Sequence, residues 1–237
     1  MASEILQSRM QIDWSLSELR KRRLSCATSP LQGFLQRLGF LRGIKIGDRV
    51  KGWDVLKTVR FIEDHVERNA PLLDIGAYAS EILCILHRLG YTNLTGVDLN
   101  PNIGRMPHSD TIRYIKSDFM HTPFENDSFA AVTSISVIEH GFNAPSLFAE
   151  ISRLLRPGGY FIASFDYWPE KIDTTGVKFF GMDWMIFSRQ DIADFIKQAA
   201  GHGLVPVGEL HFDAQDAPIE GGGKKYTFGW LALKKTV

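Results

Sequence analysis

The spacing of apolar residues divides the chain into a helical first part and a second part in which short apolar runs alternate with helical segments. Before Pro71, apolar residues recur every three or four positions and predict helices that begin at Ser15, Pro30 and Asp54. Ser15 and Glu18 form a capping-box pattern, and the serine before Pro30 supplies a second N-cap. We therefore expect residues 1–52 to be a helical cap.

After Pro71 the apolar runs shorten to strand length and are separated by turn residues and helical segments. These runs predict strands at 72–75, 94–97, 112–115, 130–135 and 160–163. Helices are predicted between them at residues 80–89 and 145–155. Strands that alternate with helices are typical of βαβ units, so the chain is predicted to form a doubly wound α/β sheet that is mostly parallel.

The end of the chain breaks this alternation. After a helix capped by Ser188 and Asp191, residues 204–212 and 226–234 predict two strands in immediate succession. Such a pair is expected to run antiparallel at one edge of the sheet. Residues 53–237 would then form one α/β domain, with an insertion at about 165–187 that follows the fifth strand.

Composition narrows the possible partners. Lys plus Arg equals Asp plus Glu, at 27 each, so no overall charge favours nucleic acid, and we expect none as a partner. No apolar run approaches the ~20 residues of a membrane span, and the first residues lack the pattern of a secretion signal, so we expect no membrane insertion and a cytoplasmic location. The scattered histidines predict no metal site. The basic run 20–23 is either a solvated helix face or a polyanion site. The oligomeric state is not predicted.

Ligands of open α/β sheets bind at the carboxyl ends of the strands, and polar residues of this chain occupy these positions. Asp74 and the turn Gly76-Ala77-Tyr78-Ala79-Ser80 follow the first predicted strand. Small residues at such a turn allow a tight bend and close approach to a ligand, which can use free backbone N–H groups at the helix start. A tight turn before a helix needs glycine whatever it binds, so this pattern alone is weakly specific.

Two further strand ends carry carboxylates. Asp98, followed by Leu99, ends the second strand about 20 residues after the turn, where an acid accepts hydrogen bonds from ribose hydroxyls. The alternative is an aspartate that caps the turn before Pro101. Asp118 and Phe119 follow the third strand and are suited to the amine and face of an adenine. For this pair the alternative is a surface turn with the phenyl ring in the core.

The fourth strand ends near Ser134 and is followed by Glu139-His140. Taken in order, the Asp-x-Gly turn, the strand-end Asp98, Ser117-Asp118, Ser-x-x-x-Ile-Glu-His and Leu-Arg-Pro-Gly-Gly resemble the class I S-adenosylmethionine-dependent methyltransferases of small-molecule type. The resemblance covers residues 72–163. It implies a Rossmann-like, seven-stranded sheet with a reversed last strand.

The resemblance also implies roles for individual residues. Asp74 and the turn residues Gly76, Ala77, Tyr78 and Ser80 would surround the methionine end of S-adenosylmethionine. Asp98, with Leu99 beside it, would bind the ribose. Asp118 and Phe119 would hold the adenine, and Ser134 would pass under the cofactor near the donor methyl.

The first motif departs from the family pattern, because Tyr78 and Ser80 stand where glycines are usual. A non-catalytic methyltransferase-like binding protein is therefore one alternative to an enzyme. A nicotinamide-dependent oxidoreductase is another, but the pyrophosphate of its cofactor needs the three-glycine turn that this chain lacks. S-adenosylmethionine has no phosphate, so the missing glycines weigh less against it.

The acceptor is expected to be a small molecule or glycan that binds between residues 165–187, the N-terminal helices and Lys51-Gly52-Trp53. The aromatic and acidic side chains of 165–187 favour a hydroxylated acceptor such as a sugar. His140 is the candidate base, because histidine titrates near neutral pH. The alternatives are that Glu139 and His140 form a supporting pair or a helix start.

Overall fold

A computed structural model describes residues 2–38, 40, 43–141 and 143–236 of the chain. Their helices are α1 (Arg9–Lys21), α2 (Pro30–Arg37), α3 (Gly52–His65), α4 (Ile82–Arg88), α5 (Ala144–Leu154) and α6 (Arg189–Gly201), with 3-10 turns at Arg49–Lys51 and Ile103–Arg105. The strands are β1 (Ser3–Ile5), β2 (Leu72–Ile75), β3 (Leu94–Asp98), β4 (Arg113–Lys116), β5 (Phe129–Ile135), β6 (Leu155–Tyr167), β7 (Lys178–Phe179), β8 (Met182–Asp183), β9 (Leu204–Pro206), β10 (Ile219–Gly221) and β11 (Lys224–Lys235).

The central sheet has the strand order β1-β11-β6-β5-β2-β3-β4. Strands β2 to β6 run parallel, and the chain moves outward from β2 through β3 to β4 before it crosses back to β5. The change of direction lies between β2 and β5, which is where ligands bind in doubly wound sheets. The predicted Rossmann-like parallel sheet, including its five strands and two connecting helices, is confirmed.

The last strand, β11, runs antiparallel to β6, as the sequence predicted. It lies one position inside the edge, because β10, β1 and β9 pair in turn along its other side. The predicted antiparallel pair is present as β9 and β11, although β9 ends at Pro206 rather than Phe212. Strand β1 was not predicted, because three residues are too few to show an alternating pattern.

Helix α1 begins earlier than the sequence predicted. Its N-cap is Ser8, which forms a capping box with Gln11, and the helix runs on through the predicted start at Ser15. The prediction was wrong because Ser15-x-x-Glu18 matches the same capping pattern, whereas Ser15 is a buried interior position of the helix. Helix α1 packs on α3, where a Cβ on Gly52 would lie only 2.7 Å from Leu16.

Side chains of the central strands alternate between two apolar layers, one on each face of the sheet. Leu72 and Ile162 point into a layer with residues of α1, α3 and α4. Leu73 and Phe161, their neighbours in sequence, point into a layer with residues of α5 and α6. Covering both faces fixes the register of the buried parallel strands, and thereby the positions of the residues that follow them.

Candidate active site

Four of the polar residues singled out in the sequence meet at one edge of the sheet. Asp74 on β2 is in register with Thr133 of β5 and Gly96 of β3, and Ser134 lies beside Ile75. Asp98 ends β3 beside the end of β4, and the backbone N–H of Ser117 bonds to its carbonyl at 3.0 Å. Asp118 follows directly. The adjacent parallel strands β5, β2, β3 and β4 therefore bring these residues together.

The turn after β2 is tightly built. Gly76 has a φ of +71°, and a Cβ there would lie 2.3 Å from Val137 Cγ2, so only glycine fits. The N–H of Ala77 bonds to the Val97 carbonyl at 3.0 Å, and Ser80 N donates to the Ala77 carbonyl at 3.2 Å. The half-buried ring of Tyr78 packs against the apolar layer of α3 and α4. That layer gives the side chain a place where the family pattern has glycine.

Asp98 organises this turn. Its Oδ2 accepts the N–H of Tyr78 at 3.0 Å, and its Oδ1 accepts the N–H of Asn100 at 2.7 Å. The turn-capping alternative is therefore present in the structure. It does not exclude a ligand, because a carboxylate has about four lone-pair positions and two are used. The following Leu99 is exposed.

Asp118 and Phe119 are likewise engaged locally. Asp118 Oδ1 accepts the N–H of Met120 at 2.9 Å, and the half-buried Phe119 packs against the apolar layer that includes Val97 and Ile115. The expected turn and core contacts are both observed. Of the two Asp118 carboxylate oxygens, only Oδ1 accepts a hydrogen bond from the described residues, which leaves Oδ2 able to accept from a ligand.

Two buried polar atoms at the centre of this edge lack a hydrogen-bond partner among the described residues. Asp74 Oδ1 accepts from Thr133 Oγ1 at 2.6 Å, but Asp74 Oδ2 and the fully buried Ser134 Oγ have none. Burial raises the pKa of Asp74 to about 7, against the hydrogen bond from Thr133. Because unpaired buried polar groups are costly, both atoms mark a place where a ligand group would be stabilised.

A second polar cluster lies beside the first, at the ends of β5 and β6. Lys51 Nζ donates to Ser136 Oγ, lies 3.8 Å from Asp166 Oδ1 and sits 3.9 Å from the centre of the Phe228 ring. Ser164 Oγ donates to Asp54 Oδ2 at 2.8 Å. We call Lys51, Asp54, Glu139 and Asp166 the charged cluster.

The charged cluster holds three buried carboxyls and one lysine. Burial raises the pKa of Asp54 to about 6 and the pKa of Asp166 above its ordinary value, in both cases against the attraction of Lys51. Burial and repulsion by Asp166 raise the pKa of Glu139 well above its ordinary value. Glu139 Oε2 and Asp166 Oδ1 form no hydrogen bond within the described part of the chain. These two oxygens can accept hydrogen bonds from a ligand.

His140 lies next to this cluster, with its ring centre 5.6 Å from that of Phe180 and 6.2 Å from that of Phe179. Burial and the nearby Lys51 lower its pKa to about 4. Its buried Nδ1 has no partner among the residues described. The imidazole is therefore neutral at pH 7 and can accept a hydrogen bond, although a group with so low a pKa holds an abstracted proton weakly.

Residues 168–187, which we call the flap, cover the charged cluster. Trp184 Nε1 donates to Asp166 Oδ2 at 2.7 Å, and Met185 N donates to the Glu139 carbonyl at 3.0 Å. The hairpin of β7 and β8 forms its tip, where Phe180 is exposed. The sequence predicted an insertion here, and the structure shows that it covers the groups after β5 and β6.

Sequence reasoning missed several members of this site: Asp54, Ser136, Ser164 and Tyr226. Asp54 was interpreted only as a helix start. Tyr226, whose ring centre lies 5.6 Å from that of Trp184 beside Asp166, reaches this edge because β11 runs in reverse and presents its first residues where the parallel strands present their last. The predicted reversal of the last strand was the signal that could have found Tyr226.

Among the residues whose placement is described, no group of three or more His, Cys, Asp or Glu side chains is arranged to hold a metal ion. No helix in the described ranges has the length and apolar character needed to cross a bilayer.

Known proteins with similar sequences are methyltransferases. Residues 73–163 match the family described as "Methyltransferase domain". A sterol 24-C-methyltransferase of Pneumocystis carinii is 29% identical over 110 residues, which are 43% of this chain and 29% of the relative. A phthiotriol/phenolphthiotriol dimycocerosates methyltransferase of Mycobacterium leprae is 34% identical over 89 residues, 36% of this chain and 32% of the relative. The matches thus span about a third or less of these relatives.

Solved structures share the fold over most of the chain. Geranyl diphosphate C-methyltransferase of Streptomyces coelicolor, determined with Mg2+, geranyl diphosphate and S-adenosyl-L-homocysteine, superposes with a TM-score of 0.59 at 17% identity, covering 88% of this chain and 99% of that one. The 1,6-didemethyltoxoflavin-N1-methyltransferase of Burkholderia thailandensis, with S-adenosylhomocysteine bound, gives 0.55 at 18% identity and covers 78% and 79%. Residues 73–163 therefore resemble a methyltransferase domain, and the chain has the Rossmann-like fold of these solved methyltransferases.

Proposed function

We propose that this protein transfers a methyl group from S-adenosylmethionine to a small-molecule acceptor. The observation that carries this proposal is the placement of Asp74, Asp98, Asp118 and Ser134 at the ends of four adjacent parallel strands, inside the segment that matches the methyltransferase domain. The two solved relatives described above contain S-adenosylhomocysteine, the demethylated form of this cofactor.

The cofactor fits the polar atoms left free at this edge. The remaining lone pairs of Asp98 would accept the ribose hydroxyls beside Leu99, while Asp118 and Phe119 would flank the adenine. Asp74 and the turn of Gly76, Ala77, Tyr78 and Ser80 would hold the methionine end. A positively charged ammonium or sulfonium group near Asp74 Oδ2 would stabilise the ionised carboxylate, and Ser134 Oγ lies beneath the same region.

The bound cofactor supplies an electrophilic methyl group on a good leaving group. The protein's main task is then to align the acceptor with that methyl, since orientation alone can account for about 7–11 kcal/mol of such a barrier. The charged cluster and flap adjoin Ser134 along β5 and are the proposed acceptor pocket. Glu139 and His140 follow the end of β5, five and six positions after Ser134, so the chain itself keeps them near that residue.

The unpartnered atoms of that pocket favour an acceptor with hydrogen-bond donors. Glu139 Oε2, Asp166 Oδ1 and neutral His140 Nδ1 can each accept a bond from a hydroxyl or amine. His140 is the proposed base, and Glu139, whose pKa is raised, is the alternative. A sugar or glycan has no support among the named acceptors of the relatives, so we propose only a small molecule that carries such donors.

A cofactor titration of the full chain tests this proposal against its alternatives. Calorimetry should detect S-adenosylhomocysteine binding in the micromolar range and no binding of NAD. Asp98→Ala should weaken binding at least 100-fold, whereas Asp110→Ala, at an exposed aspartate, should leave it unchanged. Because Asp98 also bonds to two backbone N–H groups, Asp98→Asn and a thermal melt of each variant separate lost ligand contacts from a damaged turn.

Three outcomes of the titration would count against the enzyme. Absence of binding at millimolar S-adenosylhomocysteine would favour the non-catalytic relative, and NAD binding would favour an oxidoreductase. Unchanged affinity in Asp98→Ala would show that the cofactor lies elsewhere. If the cofactor binds as expected, transfer of labelled methyl groups into hydroxylated and amine-bearing metabolites identifies the acceptor, with Glu139→Gln as the matched variant that should retain cofactor binding.

A further inference from the structure

Residues 20–47 stand apart in charge from the rest of the chain. They contain Arg20, Lys21, Arg22, Arg23, Arg37, Arg42 and Lys45 but no Asp or Glu, in a protein whose formal net charge is zero. Arg22 is paired with Glu63. The exposed cations Arg20, Lys21, Arg23, Arg37 and Lys45 form no ion pair with any residue that the structure describes. Five exposed cations without an ion-pair partner among the described residues therefore lie on the stretch of chain that carries α2.

Helix α2 presents apolar side chains to solvent on the same segment. Leu31, Phe34 and Leu38 lie at helical spacing and are 67%, 58% and 52% exposed, and Phe40 is 76% exposed. Eight large apolar side chains are at least 52% exposed among the described residues, and four of them lie within residues 31–40. Helix α2 makes no extensive contact with another helix or strand of the described chain.

Helix α2 lies in a segment, residues 28–46, whose two ends are joined by hydrogen bonds. Thr28 N donates to the Ile46 carbonyl at 2.8 Å, and Ile46 N donates to Thr28 Oγ1 at 2.8 Å. The residues that flank this pair bond to the turn after β2 and the start of α4: Cys26 N donates to Glu81 Oε2 at 3.1 Å, and Gly47 N donates to the Ala79 carbonyl at 2.8 Å. The exposed helix is thus held next to the turn 76–80.

We infer that α2 and the exposed cations of residues 20–47 form a docking surface for a membrane leaflet rich in anionic lipid. A helix with Leu and Phe on one face and Lys or Arg around it lies in the plane of a lipid interface, with its apolar side chains among the acyl chains. The unpaired cations complement lipid phosphates, each contributing about 1 kcal/mol near such a surface. The exposed apolar face favours a lipid surface over nucleic acid, because phosphate recognition alone has no use for it. This inference does not depend on the proposed methyl transfer.

Vesicle co-sedimentation of the full chain tests the docking surface. Vesicles of 30% phosphatidylglycerol in phosphatidylcholine should bind the protein at least 10-fold more strongly than pure phosphatidylcholine, and raised salt should weaken the binding. Phe34→Glu should abolish it. Arg20→Ala combined with Lys21→Ala should lower it on the order of 30-fold, from two cations at about 1 kcal/mol each.

Matched controls keep the test specific. Leu210→Glu alters an exposed leucine outside the segment, and Lys197→Ala with Lys225→Ala removes two exposed lysines elsewhere, so both should bind vesicles like the parent protein. Free glycerol phosphate should not compete, which distinguishes a lipid surface from a phosphate site. Circular dichroism should show each variant folded.

Four results would overturn the inference. The first is equal binding to anionic and to pure phosphatidylcholine vesicles, and the second is equal binding of vesicles by Phe34→Glu and Leu210→Glu. The third is competition by glycerol phosphate. The fourth is binding of transfer RNA by the parent protein that Phe34→Glu and the Arg20→Ala, Lys21→Ala variant weaken as they weaken vesicle binding. A dimer in light scattering that Phe34→Glu dissociates would show instead that a second copy of the chain covers α2.

Discussion

Trp184 Nε1 donates a 2.7 Å hydrogen bond to Asp166 Oδ2, joining the flap to the end of the central strand β6. Both side chains are buried, and the bond lowers the cost of the buried carboxyl. Replacing Trp184 by Phe retains most of the apolar contact but removes the donor. We therefore expect Trp184→Phe to lower the free energy of unfolding by about 1–3 kcal/mol and to raise the KM for the acceptor.

The matched variant for this prediction is Asp166→Asn, whose side-chain oxygen can still accept from Trp184 while the charge is lost. It should be more stable than Trp184→Phe in urea titrations at pH 7.5. Equal stability of the parent protein and Trp184→Phe would show that the hydrogen bond does not anchor the flap.

Asp54 makes the stability of the protein depend on pH. Burial raises its folded-state pKa to about 6 from an ordinary value of 3.8, so the folded state holds the proton more tightly than the unfolded state. This group's contribution is therefore most favourable below about pH 4 and is lost as pH rises through 6. Asp54→Asn should remove that loss and stabilise the protein at pH 7.5, relative to pH 4, by on the order of 3 kcal/mol.

Urea titrations of the parent protein and Asp54→Asn at pH 4 and 7.5 measure this difference directly. Asn retains an oxygen that can accept from Ser164, so the hydrogen bond of 2.8 Å is preserved in the variant. A stability difference between the two proteins that is the same at both pH values would show that Asp54 is ionised normally in the fold.

The strands of the parallel sheet could be predicted from the sequence, because burial on both faces of the sheet requires a continuous run of apolar residues. Strands such as β2 and β5 are buried on both faces, and their continuous apolar runs between turn residues reveal them without further information. The residues that follow these strands could be placed for the same reason, because parallel strands end at one edge. The start of α1 was wrong because Ser8 and Ser15 both offer capping signals, and tertiary packing decides between them.

The charged cluster could not be predicted as a unit. Asp54 and Ser164 lie 110 positions apart and Lys51 and Ser136 lie 85 apart, so no local pattern relates them. These residues are close because α3 and the turn before it pack against the ends of β5 and β6. The sequence also could not show that Asp98 bonds to the backbone of Tyr78, because that contact depends on the conformation of the turn.

Gly76 provides a test of the turn that is independent of the acids around it. Alanine at this position would have a positive φ and a Cβ 2.3 Å from a Val137 methyl group, so Val137 and the turn must shift. Gly76→Ala should weaken S-adenosylhomocysteine binding at least 10-fold and destabilise the protein by about 1–3 kcal/mol. Gly104→Ala is the matched control, since a Cβ there meets no described atom within 4 Å. Calorimetry measures the affinity of both variants for S-adenosylhomocysteine, and thermal melts measure their stability. Equal affinity and equal stability of Gly76→Ala and Gly104→Ala would contradict the described turn.

The identity of the base sets how the rate of methyl transfer depends on pH. Burial and Lys51 lower the pKa of His140 to about 4, so a rate that depends on His140 should be constant from pH 6 to 8 and fall only as pH approaches 4. Burial and Asp166 raise the pKa of Glu139, so a rate that depends on its ionised form should instead rise with pH through the neutral range. His140→Ala should lower kcat about 100-fold if the imidazole takes the proton, and Glu139→Gln should remove the rise with pH if the carboxylate does.

Single-turnover rates of the three proteins at saturating cofactor separate these cases, because they report the transfer step without product release. A flat profile that survives in both variants would show that neither side chain accepts the proton, and that the acceptor is deprotonated before it binds or carries no proton at the methylated atom.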